Sequence, residues 1–330
     1  MTTLTSPHDL LAAVPFLVGY HPDDSLVVIA LREEEIGMAM RIDFPREADP
    51  DQIDTLASYL VREKADSALI VAYLPDDLLE SDYLIDALRS AIEMRGISIH
   101  EILEVKNLRW RSTLCADENC CPPQGNPMPE MQGSRIVAEQ VVAGKRVPFD
   151  NLQALKESLA SLPPDPEIKK LIKKVADIDY EDESTKAFQR EGAQAVDRLV
   201  AEFMANGFAE EKALIALVLV RLQDLQVRDY AMGITTTENI DALAAMWHWL
   251  LKRAPKNYLA PVATLFAAVS YERGDGAMAG RSLDRAFEDD ITYPMAKLLR
   301  RVFAAGWPPQ SFASMRAELH PKICASLFGE

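Results

Sequence analysis

Three prolines within four residues, Pro163-Pro164-Asp165-Pro166, divide this 330-residue chain into two stretches with different periodicities. Proline fixes φ, removes a backbone donor and biases the preceding residue away from the helical region. Neither a helix nor a central strand runs through such a cluster. Ahead of it stand two apolar runs, Leu26-Val27-Val28-Ile29-Ala30-Leu31 and Ala68-Leu69-Ile70-Val71-Ala72-Tyr73. Runs of this length and composition suit strands buried on both faces. Behind the cluster nothing has the pattern of a strand. The chain is long enough for two ordinary cores, and the expected division is 1–162 and 163–330.

In the first half, Ser6 is placed to cap a helix that has Pro7 at its first position and Asp9 to return a bond. That helix is expected to stop near Pro15, and Gly19–Asp24 turns the chain into the first strand. Ile36–Phe44 is its hairpin partner. Asp51–Lys64 has helical spacing at Ile53, Leu56, Ala57, Leu60 and Val61, and Tyr83–Arg95 is a second helix closed by Gly96. Ile97–Val105 and Leu108–Leu114 supply one or two further strands. Alternating strands and helices predict a layered α/β sheet. Residues 116–131 form a loop, and Gly133–Gly144 and Asp150–Leu162 are helical.

The second half is expected to be all-helical, with breaks near Gly207, Gly233, Pro255, Gly274, Ile291 and Gly306. One stretch is more specific. Phe266-x4-Tyr271-x2-Gly274-Asp275, followed by Ala279, Leu283, Ala286, Asp290 and Pro294, resembles a tetratricopeptide repeat. Small Ala279 and Ala286 let paired helices approach, and Gly274-Asp275 makes the turn. Ala263 and Ala267 stand where that pattern favours Trp and Gly. A helical-repeat, tetratricopeptide-like half stacks its units to bury their faces, with Ile240–Arg253 and Met295–Ala305 as neighbours.

Charge restricts the partners. The net formal charge is −16, and residues 1–150 carry 26 acidic side chains against 13 basic ones, compared with 25 against 22 in the remainder. Phosphate backbones and anionic lipid surfaces repel such a front half, so neither nucleic acid nor membrane is an expected partner. The opening segment, Met1–Asp9, lacks the basic and apolar regions of a secretory signal. The longest apolar run, Ala213–Val220, is far too short to cross a bilayer. Four cysteines in 330 residues do not make a disulfide scaffold. The expectation is a cytoplasmic protein with reduced thiols.

Three groups could carry chemistry. Cys115-x4-Cys120-Cys121 offers thiolates, but structural zinc wants four ligands, usually in two spaced pairs. Asp117, Glu118 or a distant His100 would have to complete the shell, and adjacent cysteines do not easily aim both sulfurs at one ion. A structural loop is therefore the first reading, zinc the second, and a reactive thiol near Arg109 and Arg111 the third. Tyr20-His21-Pro22-Asp23-Asp24-Ser25 brings a base, acids and a hydroxyl together, although Pro22 and the aspartates equally suit a tight turn. In Arg109-Trp110-Arg111, strand alternation puts both guanidinium groups on one face. There they either grip a carboxylate or phosphate of a ligand or pair with carboxylates of this acidic half. Convergence of the Tyr20–Ser25 turn, Arg109–Arg111 and the cysteine loop would form one mixed-charge pocket. Gly274-x-Gly276-x3-Gly280 follows a helix and so lacks the context of a dinucleotide loop. Trp247-His248-Trp249 fits a core or groove better than a cofactor. The chain has no P-loop, no His-Glu-x2-His and no Gly-x-Ser-x-Gly.

Two pieces, Pro15–Val28 and Arg109-Trp110-Arg111-Ser112-x2-Cys115-x4-Cys120-Cys121-Pro122-Pro123, resemble signatures of a bacterial family, domain of unknown function 4192. Val227-Arg228-Asp229 and Gly274-Asp275-Gly276-Ala277 extend the resemblance over nearly the whole chain. It implies the domain layout and carries no activity. The leading functional expectation is a protein-interaction or scaffold module that holds a protein or peptide partner on its helical half. The alternative is an enzyme or small-ligand sensor using the mixed-charge pocket, with or without zinc.

Overall fold

The computed structural model describes residues 4–78, 81–176 and 182–329. The chain divides into two compact units, Met1–Leu155 and Lys156–Glu330.

The first unit opens with α1 (Pro7–Val18). Ser6 caps it, its Oγ accepting from Asp9 N at 3.2 Å, while Asp9 returns its carboxylate to Thr5 N at 2.9 Å. Pro15 does not end the helix as its sequence position suggests. The chain stays helical to Val18 and closes at Gly19, whose φ of 85° only glycine adopts without strain. The bond that Pro15 cannot donate is one of many, and seven residues of the helix, from Leu10 to Val18, are buried. Packing here outweighs the local cost of the proline.

Six strands then form one mixed sheet: β1 (Ser25–Arg32), β2 (Glu35–Asp43), β3 (Ser67–Tyr73), β4 (Ser98–Lys106), β5 (Arg109–Ser112) and β6 (Asn126–Pro127), in the order β2-β1-β3-β4-β5-β6. Only β3 and β4 are parallel, and the helix between them, α3 (Asp82–Glu93), supplies the crossover that parallel strands need. The expected apolar runs are β1 and β3. The expected loop over 116–131 contains one further short strand, β6, which returns onto β5. Alternating residues face two cores. Leu26, Val28, Ile70, Ala72 and Ile102 pack under α3 and α2 (Pro50–Arg62). Val27, Ile29, Val71, Leu103, Val105 and Trp110 pack under α1. A short helix, α4 (Arg135–Val142), lays Ile136 on Ala12 and Ala13 of α1. The division of the chain into units falls within α5 (Leu152–Ser158).

The second unit is helical throughout its described residues: α6 (Pro166–Ala176), α7 (Asp182–Asn206), α8 (Lys212–Arg221), α9 (Leu225–Gly233), α10 (Ile240–Leu251), α11 (Leu259–Glu272), α12 (Gly276–Asp289), α13 (Pro294–Ala304) and α14 (Pro309–Phe328). The expected breaks fall between elements. One further break separates α8 from α9, where the Asp224 side chain accepts from Gln226 N and Val227 N and starts a new helix. Every residue of α11 from Leu259 to Ser270 is buried. A helix that is apolar all round has to be the centre of its unit, and α9, α10, α12, α13 and α14 all pack against it. Its closest partner is α12, reached through the Gly274-Asp275 turn, with Asp275 accepting from Met278 N at 3.0 Å. At the other end of the pair, Asp289 accepts from Asn257 N, Leu259 N and Ala260 N and so caps α11. Arg316 of α14 is buried with Glu272 of α11 and also donates to the carbonyls of Gly233 and Thr235. Among the described residues no helix is long and apolar enough to cross a membrane.

Candidate functional site

The β4–β5 hairpin places the charged residues of the first unit. Its turn is only Asn107-Leu108, with φ of 51° and 56°. This left-handed pair matches strand twist but is rare for leucine. So tight a turn fixes the register, with Lys106 opposite Arg109 and Glu104 opposite Arg111. All four side chains share the face that carries α2 and α3, since Glu104 and Arg111 are in line with Ala72.

Glu104 is buried and fully engaged. It accepts from Ser81 Oγ at 2.6 Å and from Arg111 Nε at 2.7 Å, and Arg111 Nη2 lies 2.6 Å from the same carboxylate. Lys106 and Arg109 differ. Lys106 Nζ donates to the Leu78 carbonyl at 2.6 Å. Arg109 donates through Nε and Nη2 to the carbonyls of Gln124 and Gly125. Among the described residues no carboxylate forms an ion pair with either; Lys106 lies close enough to Asp77 to help hold that carboxyl below its usual range, behind the larger effect of Arg46. Between the diverging cations opens a cleft of about 290 Å3, lined by Leu78, Ser81, Glu104, Lys106, Arg109, Arg111 and Gly125.

Of the residues singled out in the sequence, Arg109, Trp110 and Arg111 line this cleft; Tyr20–Ser25 and the cysteines do not. Trp110 turns its ring into the α1 core, edge-on to His8 at 5.4 Å. The Tyr20–Ser25 turn acts as a strap. Tyr20 is buried and bridges Phe149, and His21 N donates to the Phe149 carbonyl at 2.9 Å. Asp24 adopts φ 40° and accepts from Phe44 N. Buried Ser25 Oγ donates to the Asp23 carbonyl and accepts from Arg41 Nε at 2.8 Å. Burial lowers the His21 imidazole, against a smaller upward pull from Asp150. Ser25, Tyr73, Val105 and Trp110 form one row across the sheet. Three strand spacings of about 4.8 Å therefore separate Ser25 from β5, and Ser25 faces the α1 side while Arg109 and Arg111 face the other. The three segments do not line one cavity.

The cysteine loop hangs between β5 and β6. Asp117 O accepts from Cys120 N at 3.1 Å and Cys121 N at 2.7 Å, and Asn126 Nδ2 holds the Cys120 carbonyl at 2.8 Å. The three sulfurs lie within 4.8 Å of one another, although two belong to adjacent residues. No carboxylate or imidazole among the described residues joins them, so Asp117, Glu118 and His100 do not complete a shell. Hydrogen bonds and repulsion from Cys115 and Cys121 push the Cys120 thiol up to about 11.

Sequence reasoning missed Glu104, Lys106 and Ser81. The one available signal was a glutamate set among Ile102, Leu103 and Val105, because charge in an otherwise buried strand has to be paired.

The family model described as Domain of unknown function (DUF4192) matches residues 7–310. The chain belongs to that family. No curated protein and no solved structure matches it.

Proposed function

We propose that the first unit binds a small anionic molecule, through its carboxylate or phosphate group, in the cleft between Lys106 and Arg109. The observation that carries this reading is the cross-strand pairing of those two cations. Like charges directly opposite on one sheet face destabilise it. Here they diverge to main-chain carbonyls on opposite walls of a cleft and leave room between them. An anion seated there would offset the repulsion and accept charge-assisted bonds from both. The size of the cleft suits a small metabolite. This is the small-ligand alternative, narrowed to one of the three segments first considered.

Isothermal titration of the full chain with citrate and with pyrophosphate tests it, one probe for each anion chemistry. Saturable binding of at least one is expected. Lys106→Gln and Arg109→Gln should each weaken it about 10- to 100-fold, the equivalent of one hydrogen bond to a charged group, with melting unchanged. Saturation by neither probe, or unaltered affinity in both variants, removes the reading.

The second unit serves, in the same proposal, as a tetratricopeptide-like scaffold for a protein or peptide partner. Its support is the α11–α12 pair, where Ala279, Leu283 and Ala286 are fully buried beneath the capped Gly274-Asp275 turn. The acidic surplus favours a protein partner over nucleic acid or membrane. Crosslinking in the host cell should yield partner links confined to residues 156–330. Links spread evenly over both units would speak against a dedicated scaffold.

A further inference from the structure

The end of the cysteine loop, Gln124-Gly125, forms one wall of the cleft, but the three cysteines do not line it and have no part in the anion reading. Residues 113–125 leave the sheet at β5 and return to it at β6 without a helix or strand between. Both ends are fixed, because Trp110 pairs with Asn126 and Arg109 with Pro127. Within the loop, the Asp117 carbonyl gathers the Cys120 and Cys121 amides, and this turn brings consecutive side chains to the same side. The objection from adjacency thereby disappears. Cys121 is half-buried against the α1 core and Cys120 is exposed, so the group sits at the surface with one side open.

We propose that Cys115, Cys120 and Cys121 bind one zinc ion through three thiolates, with the fourth coordination position open to solvent. Zinc–sulfur bonds of about 2.3 Å in a tetrahedron put the sulfurs about 3.8 Å apart. The sulfurs here all lie within 4.8 Å of one another, so closing on the ion requires about 1 Å of movement at most. An all-sulfur donor set is soft and selects zinc over magnesium, calcium or manganese. Binding releases three thiol protons to solvent and oxidises nothing; water takes the fourth position. A single ion would add a staple to a loop already held by its main-chain turns, Asn126 and Arg109.

The test uses the full chain, reduced and freed of metal by a chelator. Cobalt(II) is added anaerobically, followed by zinc. One equivalent of cobalt should produce thiolate-to-metal charge-transfer absorption and the visible bands of a four-coordinate site, and one equivalent of zinc should bleach both. Cys115→Ser and Cys120→Ser should each weaken uptake more than about 10-fold, since even partners outside the coordination shell cause losses of that order. Cys324→Ser, on α14, should change nothing. A reduced wild-type protein without the charge-transfer band, or serine variants that take up cobalt normally, would overturn the proposal. If those variants do not fold, X-ray absorption on the zinc-loaded wild type decides. A shell of about three sulfurs at about 2.3 Å supports the site, and a shell of oxygen and nitrogen alone overturns it.

Discussion

The two units treat their charged residues in opposite ways. In the helical unit, the Arg316 and Glu272 side chains are 7 % and 4 % exposed, and Arg316 spends its remaining donors on two carbonyls. That network is closed on itself. In the sheet unit, Glu104 is equally buried, but the cations around it spread into an open cleft, and among the described residues two of them donate to carbonyl groups and form no ion pair. A closed network fixes the position of helices, whereas an open one leaves charge for something else to meet. The contrast is why the anion site is proposed in the more acidic half of the chain, where average charge alone would not suggest one.

The largest effect that separates the units comes from Arg316→Met. It leaves the Glu272 carboxylate buried without its partner, and removal of one member of a buried pair costs about 3–5 kcal/mol. Hydrogen exchange should show protection lost over 259–328 and kept over 25–112. Equal losses in both segments would mean that the units do not unfold separately. The matching change in the sheet unit, Glu104→Gln, removes the buried charged acceptor of the Ser81 and Arg111 bonds and should cost about 1–3 kcal/mol, read as loss of protection in β4 and β5 alone.

A smaller step compares caps. Asp289→Ala removes the acceptor of three amides at the start of α11 and should cost about 1 kcal/mol or somewhat more. Ser6→Ala removes the acceptor of one amide and should cost less. Chemical denaturation of both variants checks the order, and a larger loss in Ser6→Ala would upset it.

The smallest expected effect is on pH dependence. Burial lowers His21 in one unit and, together with the Arg316 guanidinium, His320 in the other. Each is held neutral in the folded state. Their contribution is complete above the unfolded imidazole value of about 6.5 and is lost as pH falls towards the lower folded value. Asp197, raised by burial, acts with the opposite sign in the acid range, so melting is best compared above about pH 5.5. His21→Gln should flatten the pH response of the sheet unit and His320→Gln that of the helical unit. A slope that survives both changes would assign the pH dependence to other groups.

Much of the architecture was legible in the sequence because it rests on local patterns. The apolar runs became β1 and β3, and glycines marked most helix ends. Pro15 was misjudged because burial of α1 is a tertiary fact that outweighs a local rule. The cleft was half legible. Arg109 and Arg111 stood out by alternation, but Lys106 joins them only through the register set by Asn107-Leu108, and a leucine with positive φ is not a turn signal. The cysteine group was seen, but the adjacency of Cys120 and Cys121 counted against it, and the turn at Asp117 that gathers the three sulfurs has no sequence signal of its own.

Arg316 lies 44 residues after Glu272 in the chain. During synthesis, the central helix of the second unit therefore emerges from the ribosome with its carboxylate well before the arginine that pairs with it in the finished fold. Every strand pairing of the sheet unit is complete by Pro127. The sheet can form while translation continues, but the helical unit has to wait for α14. A stalled or shortened product would thus carry a finished sheet unit joined to a helical one with its central charge still open to water.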